Sequence, residues 1–323
     1  TVANAYIRPL AELYLERLEQ ALRAEGIPGG LFLMLSNGGL THVSEAKRSP
    51  VQLLESGPAA GALAGAWFGR NAGLDRVLAF DMGGTTAKLA LVDDGEPLVA
   101  YGFEAAREKR FMRGSGLPIQ IATVELIEIG AGGGSIARLD EMKRVQVGPD
   151  SAGSEPGPAC YARGGTHATV TDADCVMGYL DAERFAGGRV KLDSKLAEQA
   201  VANAIAGPLA VNTELGALAI NEIVTENMAN AARVHAMELG KTVEQYTLIA
   251  FGGAAPLHAA RLAAKLGIAR VIVPLNASVG SALGFLTAPV AFQAVRSWHA
   301  ILDRKSTRLN SSHVSESRMP SSA

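Results

Sequence analysis

The sequence feature that most constrains the fold is a glycine turn between two apolar runs. Residues 76–80 (RVLAF) lead directly into residues 81–86 (DMGGTT), and a second apolar run continues through residues 87–92. Short apolar runs bounded by glycine indicate buried strands. We therefore predict two antiparallel strands joined by a glycine turn. This arrangement differs from a Rossmann unit, in which a helix follows the glycines.

The turn itself has the composition of a phosphate-binding loop. Gly83 and Gly84 carry no Cβ, so their backbone N–H groups can approach phosphate oxygens and form an anion-binding nest. The hydroxyls of Thr85 and Thr86 can donate to the same oxygens. Asp81 suits a Mg²⁺ ion, which prefers oxygen ligands and keeps much of its water. The alternative is a hairpin turn with an aspartate cap.

A second glycine turn lies about 170 residues further along the chain. Residues 247–251 predict a strand, Gly252, Gly253 and Ala254 follow it, and residues 256–266 predict a helix. A helix start brings backbone N–H groups and the positive end of the helix dipole to a ligand. An ordinary strand–helix turn is the alternative, but the presence of both turns favours a nucleotide site.

A third glycine cluster and two aspartates are further candidates. Gly132, Gly133 and Gly134 follow a predicted strand, and they either line a nucleotide or substrate cleft or form a structural turn. Asp172 and Asp174 could hold a metal or orient water. The alternative for Asp172 is capping of the following helix, which is a common use of aspartate before an apolar run.

Other polar residues have a structural interpretation beside a functional one. Glu128 is either a cleft carboxylate or part of an exposed strand face, and Lys88 either reaches the phosphates or faces solvent. His258 is predicted to be a packed histidine. Cys160 and Cys175 lack the spacing of a zinc site, and two thiols alone are typical of a reducing compartment.

Composition argues against several classes of protein. Hydrophobic residues make up 48% of the chain and charged residues 19%, which suffices for a buried core. The net charge is -2, with no clustered basic face of the kind that nucleic acids require. The sequence shows no signal peptide and no apolar run long enough to span a bilayer. We therefore expect a cytoplasmic protein without nucleic-acid or membrane partners.

The last twenty residues differ from the rest of the chain. Residues 304–323 contain seven serines and no apolar periodicity, and they look like adapter or vector sequence. A natural disordered tail is the alternative. We expect a core domain over residues 1–302 and a non-native or disordered tail over residues 303–323. If the core has two subdomains, the glycine-rich loop near residues 148–165 is the predicted point of division.

Several stretches of the chain, in this order, resemble motifs of the hydantoinase A/oxoprolinase family. Residues 80–86 look like its phosphate motif, and residues 251–258 look like its adenosine motif. The resemblance covers nearly everything from Thr1 to about Trp298. The other matching stretches are residues 36–39 (SNGG), 56–61 (SGPAAG), 130–137 (GAGGGSIA), 147–166 and 169–174 (TVTDAD).

The resemblance implies a fold and a site. The family belongs to the superfamily of actin, sugar kinases and heat-shock chaperones, so we expect an α/β, actin-like (ribonuclease H-like) ATPase lobe with mixed sheets flanked by helices. ATP and Mg²⁺ are the expected cofactors. Asp81 and Asp172 are the expected catalytic residues, and Asp81 is also the expected metal ligand. The expected nucleotide contacts are Gly83, Gly84, Thr85, Thr86, Gly132, Gly133, Gly134, Gly252, Gly253 and Ala254.

The resemblance also implies a reaction and a partner. Members of this family use ATP to phosphorylate the oxygen of a cyclic amide, such as an N-substituted hydantoin or 5-oxoproline, so that water can open the ring. Related members use ATP to carboxylate ketones. A hydantoinase B-type region, separate or fused, usually accompanies them. A non-catalytic nucleotide-binding assembly module is a further hypothesis, whereas a sugar-kinase-like phosphotransferase is disfavoured by the loop at residues 148–165.

The chain departs from the family pattern in one respect. The family's N-terminal region carries a first Asp-x-Gly-Gly-Thr turn, and only one such turn, at residues 81–85, occurs here. In the superfamily the nucleotide lies between two lobes that each supply a phosphate turn. We therefore expect the first lobe to be incomplete and ATP binding by this chain alone to be weak or absent.

Overall fold

The computed structural model describes residues 2–105 and 116–292. The predicted tail lies outside these residues. The strands are β1 (Phe32–Met34), β2 (Leu40–His42), β3 (Arg76–Met82), β4 (Ala87–Asp93), β5 (Glu96–Pro97), β6 (Val99–Ala100), β7 (Phe103–Ala105), β8 (Leu117–Ile119), β9 (Thr123–Val124), β10 (Leu126–Ile129), β11 (Ser135–Leu139), β12 (Val145–Ser151), β13 (Thr247–Phe251) and β14 (Val271–Ile272). The helices are α1 (Val2–Ala24), α2 (Val43–Arg48), α3 (Ser56–Asn71), α4 (Val170–Val176), α5 (Ser194–Val201), α6 (Gly207–Leu209), α7 (Thr213–Glu238), α8 (Ala255–Leu266) and α9 (Gly280–Leu286).

A six-stranded mixed sheet carries the two glycine turns. Its strand order is β10-β4-β3-β13-β14, and β5 pairs with β4. Strands β3 and β4 are antiparallel, whereas β13 runs parallel to both β3 and β14. The predicted hairpin around the first glycine turn is therefore confirmed. So is the α/β class, with a mixed sheet flanked by helices.

The two faces of the sheet bury side chains of different size. On β3, Val77 and Ala79 pack with the small residues of α3, while Leu78 and Phe80 on the opposite face pack with residues of α7 and α8. Successive side chains of a strand point to opposite faces, so the continuous apolar run is buried on both sides. All four side chains are at most 3% exposed.

Helices α3 and α9 are in backbone contact on the first of these faces. A Cβ added at Gly284 of α9 would lie 1.8 Å from the carbonyl oxygen of Ala60 in α3, so no side chain fits there. Likewise, a Cβ at Gly65 of α3 would lie 2.5 Å from the Cβ of Ala79 in β3. This close packing brings Ser281, near the start of α9, to the end of β3.

Some element bounds differ from expectation. The first helix begins at Val2 and includes Pro9. Proline removes the amide that would bond the carbonyl of Ala5, but Ala5 is exposed, where water can serve this carbonyl. Strand β12 extends into the predicted loop as far as Ser151. Among the described residues, no helix is both long and apolar enough to cross a membrane.

Candidate functional site

The two glycine turns meet at one edge of the sheet. Strands β3 and β13 are parallel neighbours, and their register places Asp81 opposite Phe251. Both turns therefore leave the sheet at the same level. The amide of Ala254, at the end of the second turn, donates a hydrogen bond of 2.9 Å to the carbonyl oxygen of Met82. The structure thus brings together two segments that the sequence separates by about 170 residues.

The first turn presents unused backbone donors. The amide of Gly83 closes the turn by donating to the carbonyl of Thr86 at 3.1 Å. Within the part of the chain that the structure describes, the amides of Gly84, Thr85 and Thr86 have no hydrogen-bond partner. Gly84 and Thr85 are exposed, and a Cβ at Gly83 or Gly84 would meet no atom within 4 Å. The turn is therefore open to an anionic ligand.

Two of the three residues of the second turn make internal contacts, and the third is exposed. Gly252 has φ +94°, and a Cβ there would lie 2.5 Å from both Asp81 Oδ1 and the carbonyl oxygen of Met82. Its amide donates to the carbonyl of Ala277 at 2.7 Å, so neither it nor the amide of Ala254 is free. Gly253 is exposed, with no atom within 4 Å of an added Cβ. Of this turn, Gly253 is the residue open to a ligand.

The third glycine cluster, Gly132–Gly134, supports the first turn from behind. All three residues are buried. A Cβ at Gly132 would lie 2.5 Å from the Thr85 amide nitrogen. The three amides donate, in order, to Ser135 Oγ at 2.8 Å, the Gly83 carbonyl at 3.0 Å and the Gly84 carbonyl at 2.7 Å. These contacts favour the structural-turn alternative over direct nucleotide contact for this cluster.

Asp81 is half-buried beside the first turn. Its Oδ2 accepts a hydrogen bond of 2.7 Å from Ser281 Oγ. Burial raises the pKa of this carboxyl, and the Ser281 hydrogen bond and the nearby Lys88 ammonium oppose that rise. No cluster of three or more metal-ligating side chains occurs among the described residues. A single carboxylate fits Mg²⁺ that is held mainly by phosphate oxygens and water.

A row of charged residues crosses the sheet next to Asp81. The register places Glu128 of β10 opposite Lys88 of β4, and Lys88 opposite Asp81. Lys88 Nζ lies 3.7 Å from Glu128 Oε1. Glu128 and Glu55 also line an open cleft of 630 Å³ beside β10. Burial and the Glu128 charge raise the pKa of the Glu55 carboxyl.

Asp172 holds the start of α4 together. Thr169 and Asp172 form a capping box, in which each side chain accepts a hydrogen bond from the backbone amide of the other residue. The amides of Ala159 and Cys160 donate to the same carboxylate at 3.2 and 2.7 Å, and its side chain is fully buried. These contacts match the capping alternative, while the catalytic role expected of Asp172 has no open carboxylate oxygen to support it.

The remaining sequence candidates are buried. Cys160 is a free thiol, and hydrogen bonding with Cys175 and burial raise its pKa. Asp174 and His258 face each other in the interior, 1% exposed each. The sequence reasoning missed Asn221, which joins this pair. The available signal was the position of Asn221 directly after Ile220 in the apolar pattern of α7, whereas no signal marked Ser281.

Comparisons with known proteins agree with this architecture. A family model described as hydantoinase/oxoprolinase matches residues 1–294. The caprolactamase subunit alpha of Pseudomonas jessenii is 34% identical over 303 residues, which are 94% of this chain and 42% of that relative. The acetophenone carboxylase gamma subunit of Aromatoleum aromaticum is 37% identical over 88% of this chain and 37% of its own length.

Two solved structures share the fold. The ATP-dependent caprolactamase from Pseudomonas jessenii has a TM-score of 0.75 at 34% identity, over 90% of this chain and 41% of that one. Nucleotide-free acetone carboxylase has a TM-score of 0.74 at 29% identity, over 85% of this chain and 37% of the other. The chain spans about two fifths of the length of these proteins. With a family match over nearly its whole described length, the chain belongs to the hydantoinase/oxoprolinase family.

Proposed function

We propose that this chain is the nucleotide-binding part of an ATP-dependent enzyme that opens a cyclic amide. The observation that carries the proposal is the pairing of two open glycine turns at one sheet edge, beside the half-buried Asp81. The names of the relatives support ATP-dependent amide hydrolysis or carboxylation. A cyclic amide of the hydantoin or 5-oxoproline type is the proposed substrate class.

The open backbone groups have defined tasks under this proposal. The amides of Gly84, Thr85 and Gly253 hold phosphate oxygens, because unpaired N–H groups in a turn create an anion site. Asp81 would hold Mg²⁺ through its carboxylate, whose orientation is fixed by the hydrogen bond from Ser281. Bound Mg²⁺ supplies charge neutralisation at the transferring phosphoryl group.

The proposed reaction activates the amide through its oxygen. The oxygen attacks the γ-phosphorus of ATP, and the bond from that phosphorus to the β–γ bridging oxygen breaks, which releases ADP. Water then adds to the activated carbon and the C–N bond of the ring breaks. A second water releases phosphate. The products are a carboxylate and the released ring nitrogen, which is an amine from 5-oxoproline and part of a ureido group from a hydantoin. Electrostatic stabilisation and positioning are the main tasks of a protein in phosphoryl transfer.

Carboxylation of a ketone is the second candidate function. It is favoured by the likeness to the acetophenone carboxylase subunit and to acetone carboxylase. The same phosphate site would serve this reaction. ATP consumption that requires both bicarbonate and a ketone would identify it, whereas hydantoin or 5-oxoproline would stimulate ATP consumption by a hydrolase.

The proposed partner is a hydantoinase B-type subunit or region, and the proposed location is the cytoplasm. Several relatives are named as subunits, which supports assembly with other chains. The remaining alternative is a non-catalytic module that binds nucleotide while its partner performs the chemistry. An enzyme that performs the chemistry in this chain requires Asp81 for activity, whereas a non-catalytic module does not.

The test uses the full-length protein containing this chain, with its hydantoinase B-type partner. We expect phosphate release that depends on a cyclic amide, and a loss of at least 100-fold in Asp81→Ala. A Lys241→Ala variant is the matched control, since Lys241 pairs with Asp93 at the other end of the strands. Activity that survives in Asp81→Ala would assign the chain to the non-catalytic module. Absence of amide-stimulated phosphate release from the wild-type assembly would refute the hydrolase proposal.

A further inference from the structure

Three buried polar side chains meet behind the glycine turns. Asp174 of α4, Asn221 of α7 and His258 of α8 are each at most 3% exposed. Asn221 Nδ2 lies 3.0 Å from Asp174 Oδ1 and 3.4 Å from His258 Nδ1. His258 Nε2 lies 3.4 Å from Asp174 Oδ2, although without the alignment of a hydrogen bond. Burying polar side chains costs free energy because they lose water, and a buried polar network helps to specify one packing arrangement of the elements around it.

One side of this cluster leads to the first turn. The amide of Gly133 donates to the carbonyl of Gly83 at 3.0 Å. The carbonyl of Gly133 accepts both the amide and the hydroxyl of Thr171, at 2.7 and 2.8 Å. Thr171 lies one helical turn before Asp174 on α4. The position of Asp174 is therefore coupled to the first turn through two residues.

The other side of the cluster leads to the second turn. His258 lies one helical turn after Ala254, the residue that precedes α8. The amide of Ala254 donates to the carbonyl of Met82 at 2.9 Å, directly before Gly83. The contacts therefore close a ring that starts at Gly83, passes through the buried cluster and returns to Met82.

We propose that Asp174, Asn221 and His258 are positioning residues that set the spacing of the two glycine turns. Helices α4 and α8 each hold one turn, and the buried cluster is the side-chain link between them. If His258 loses its polar contacts, α8 is free to shift relative to α4, and the distance between the open amides of Gly84 and Gly253 changes. The expected effect on nucleotide binding rests on the proposed function, whereas the expected effect on the spacing of the turns does not.

The first test measures the protection of the amides in this ring of contacts, by native-state hydrogen exchange on the full chain. His258→Leu should lower the protection of the Gly133 and Ala254 amides at least tenfold relative to the Ile249 amide in the centre of the sheet. His258→Gln, which keeps a polar group, should recover most of this protection. Tyr246→Phe is the matched control, because it removes a hydrogen bond to Asp93 at the opposite end of β13.

The second test measures affinity for a fluorescent ATP analogue in the full-length protein. We expect a loss of about tenfold in His258→Leu, a recovery in His258→Gln and no change in Tyr246→Phe. If His258→Leu does not fold, both measurements are made on Asp174→Asn, with the same expectations. If the protection of the Gly133 and Ala254 amides relative to the Ile249 amide is the same in the variant as in the wild type, the positioning role is overturned. If protection is lost in His258→Leu but the wild-type protein binds no nucleotide, the nucleotide function alone is refuted.

Discussion

Gly132→Ala tests how the buried glycine cluster supports the phosphate turn. The added Cβ would lie 2.5 Å from the amide nitrogen of Thr85 and 2.6 Å from the carbonyl carbons of Gly84 and Thr85. These are backbone atoms and cannot rotate away as a side-chain tip would. Gly132 has no positive φ, so the effect would be steric and not conformational.

The magnitude follows from the displacement. An ordinary Cβ contact needs about 3.4 Å or more, so the turn and the cluster must separate by roughly 1 Å. Overpacking of this kind costs about 1–3 kcal/mol. The separation also weakens the hydrogen bonds from Gly133 to Gly83 and from Gly134 to Gly84, each worth about 1 kcal/mol. We expect unfolding free energy to fall by about 2–4 kcal/mol.

The assay is urea denaturation followed by circular dichroism, together with titration of a fluorescent ATP analogue, both on the full-length protein that contains this chain. Gly84→Ala is the matched control for stability, because its Cβ would meet no atom within 4 Å. Gly132→Ala should be destabilised and should bind the analogue at least tenfold more weakly. Equal stability of the two variants would refute the steric argument. Unchanged affinity in a destabilised Gly132→Ala would refute the coupling between the cluster and the turn.

Three other substitutions probe the described contacts. Asp172→Asn should lower the unfolding free energy by about 2–3 kcal/mol because a buried acceptor is lost; unchanged stability in urea denaturation would contradict the capping role. Gly252→Ala places a side chain at φ +94° with its Cβ 2.5 Å from a carboxylate oxygen, so the unfolding free energy should fall by about 2–4 kcal/mol. A thermal midpoint equal to that of the wild type would contradict this. Arg261 and Lys265 lower the pKa of the Glu222 carboxyl to about 2, so this carboxylate stabilises the fold above pH 4.5 and the gain is lost as the pH falls towards 2. Glu222→Gln should therefore cost about 0.5–1 kcal/mol at pH 7 and less at pH 3, and a difference independent of pH would refute the assignment.

Local patterns made the central hairpin predictable. Strands β3 and β4 are nearly continuous apolar runs on either side of the glycine turn, and few alternative structures can bury such runs. The second turn was also predictable, because a strand, two glycines and a helix follow one another directly. Pairing of the two turns depends on the parallel register of β3 with β13, which local patterns do not encode.

The roles of individual glycines could not be predicted in the same way. Gly132–Gly134 and Gly83–Gly84 read alike in sequence, yet one cluster is buried and uses its amides internally while the other is open. The difference arises from packing between segments about 50 residues apart. Asp172 and Asp174 are a similar case, since their burial depends on the packing of α5 and α7 against α4 and, for Asp174, on His258 of α8.

The register of β3 with β13 also bears on the order of folding. The β3–β4 pairing is local and needs little loop closure, whereas the β3–β13 pairing must enclose about 170 residues of intervening chain. During synthesis the first glycine turn is available long before Gly253 has been made. We therefore expect the two halves of the site to form in separate steps, and pulse-labelled hydrogen exchange during refolding should show protection of the Ala254 amide after that of the β3–β4 hairpin.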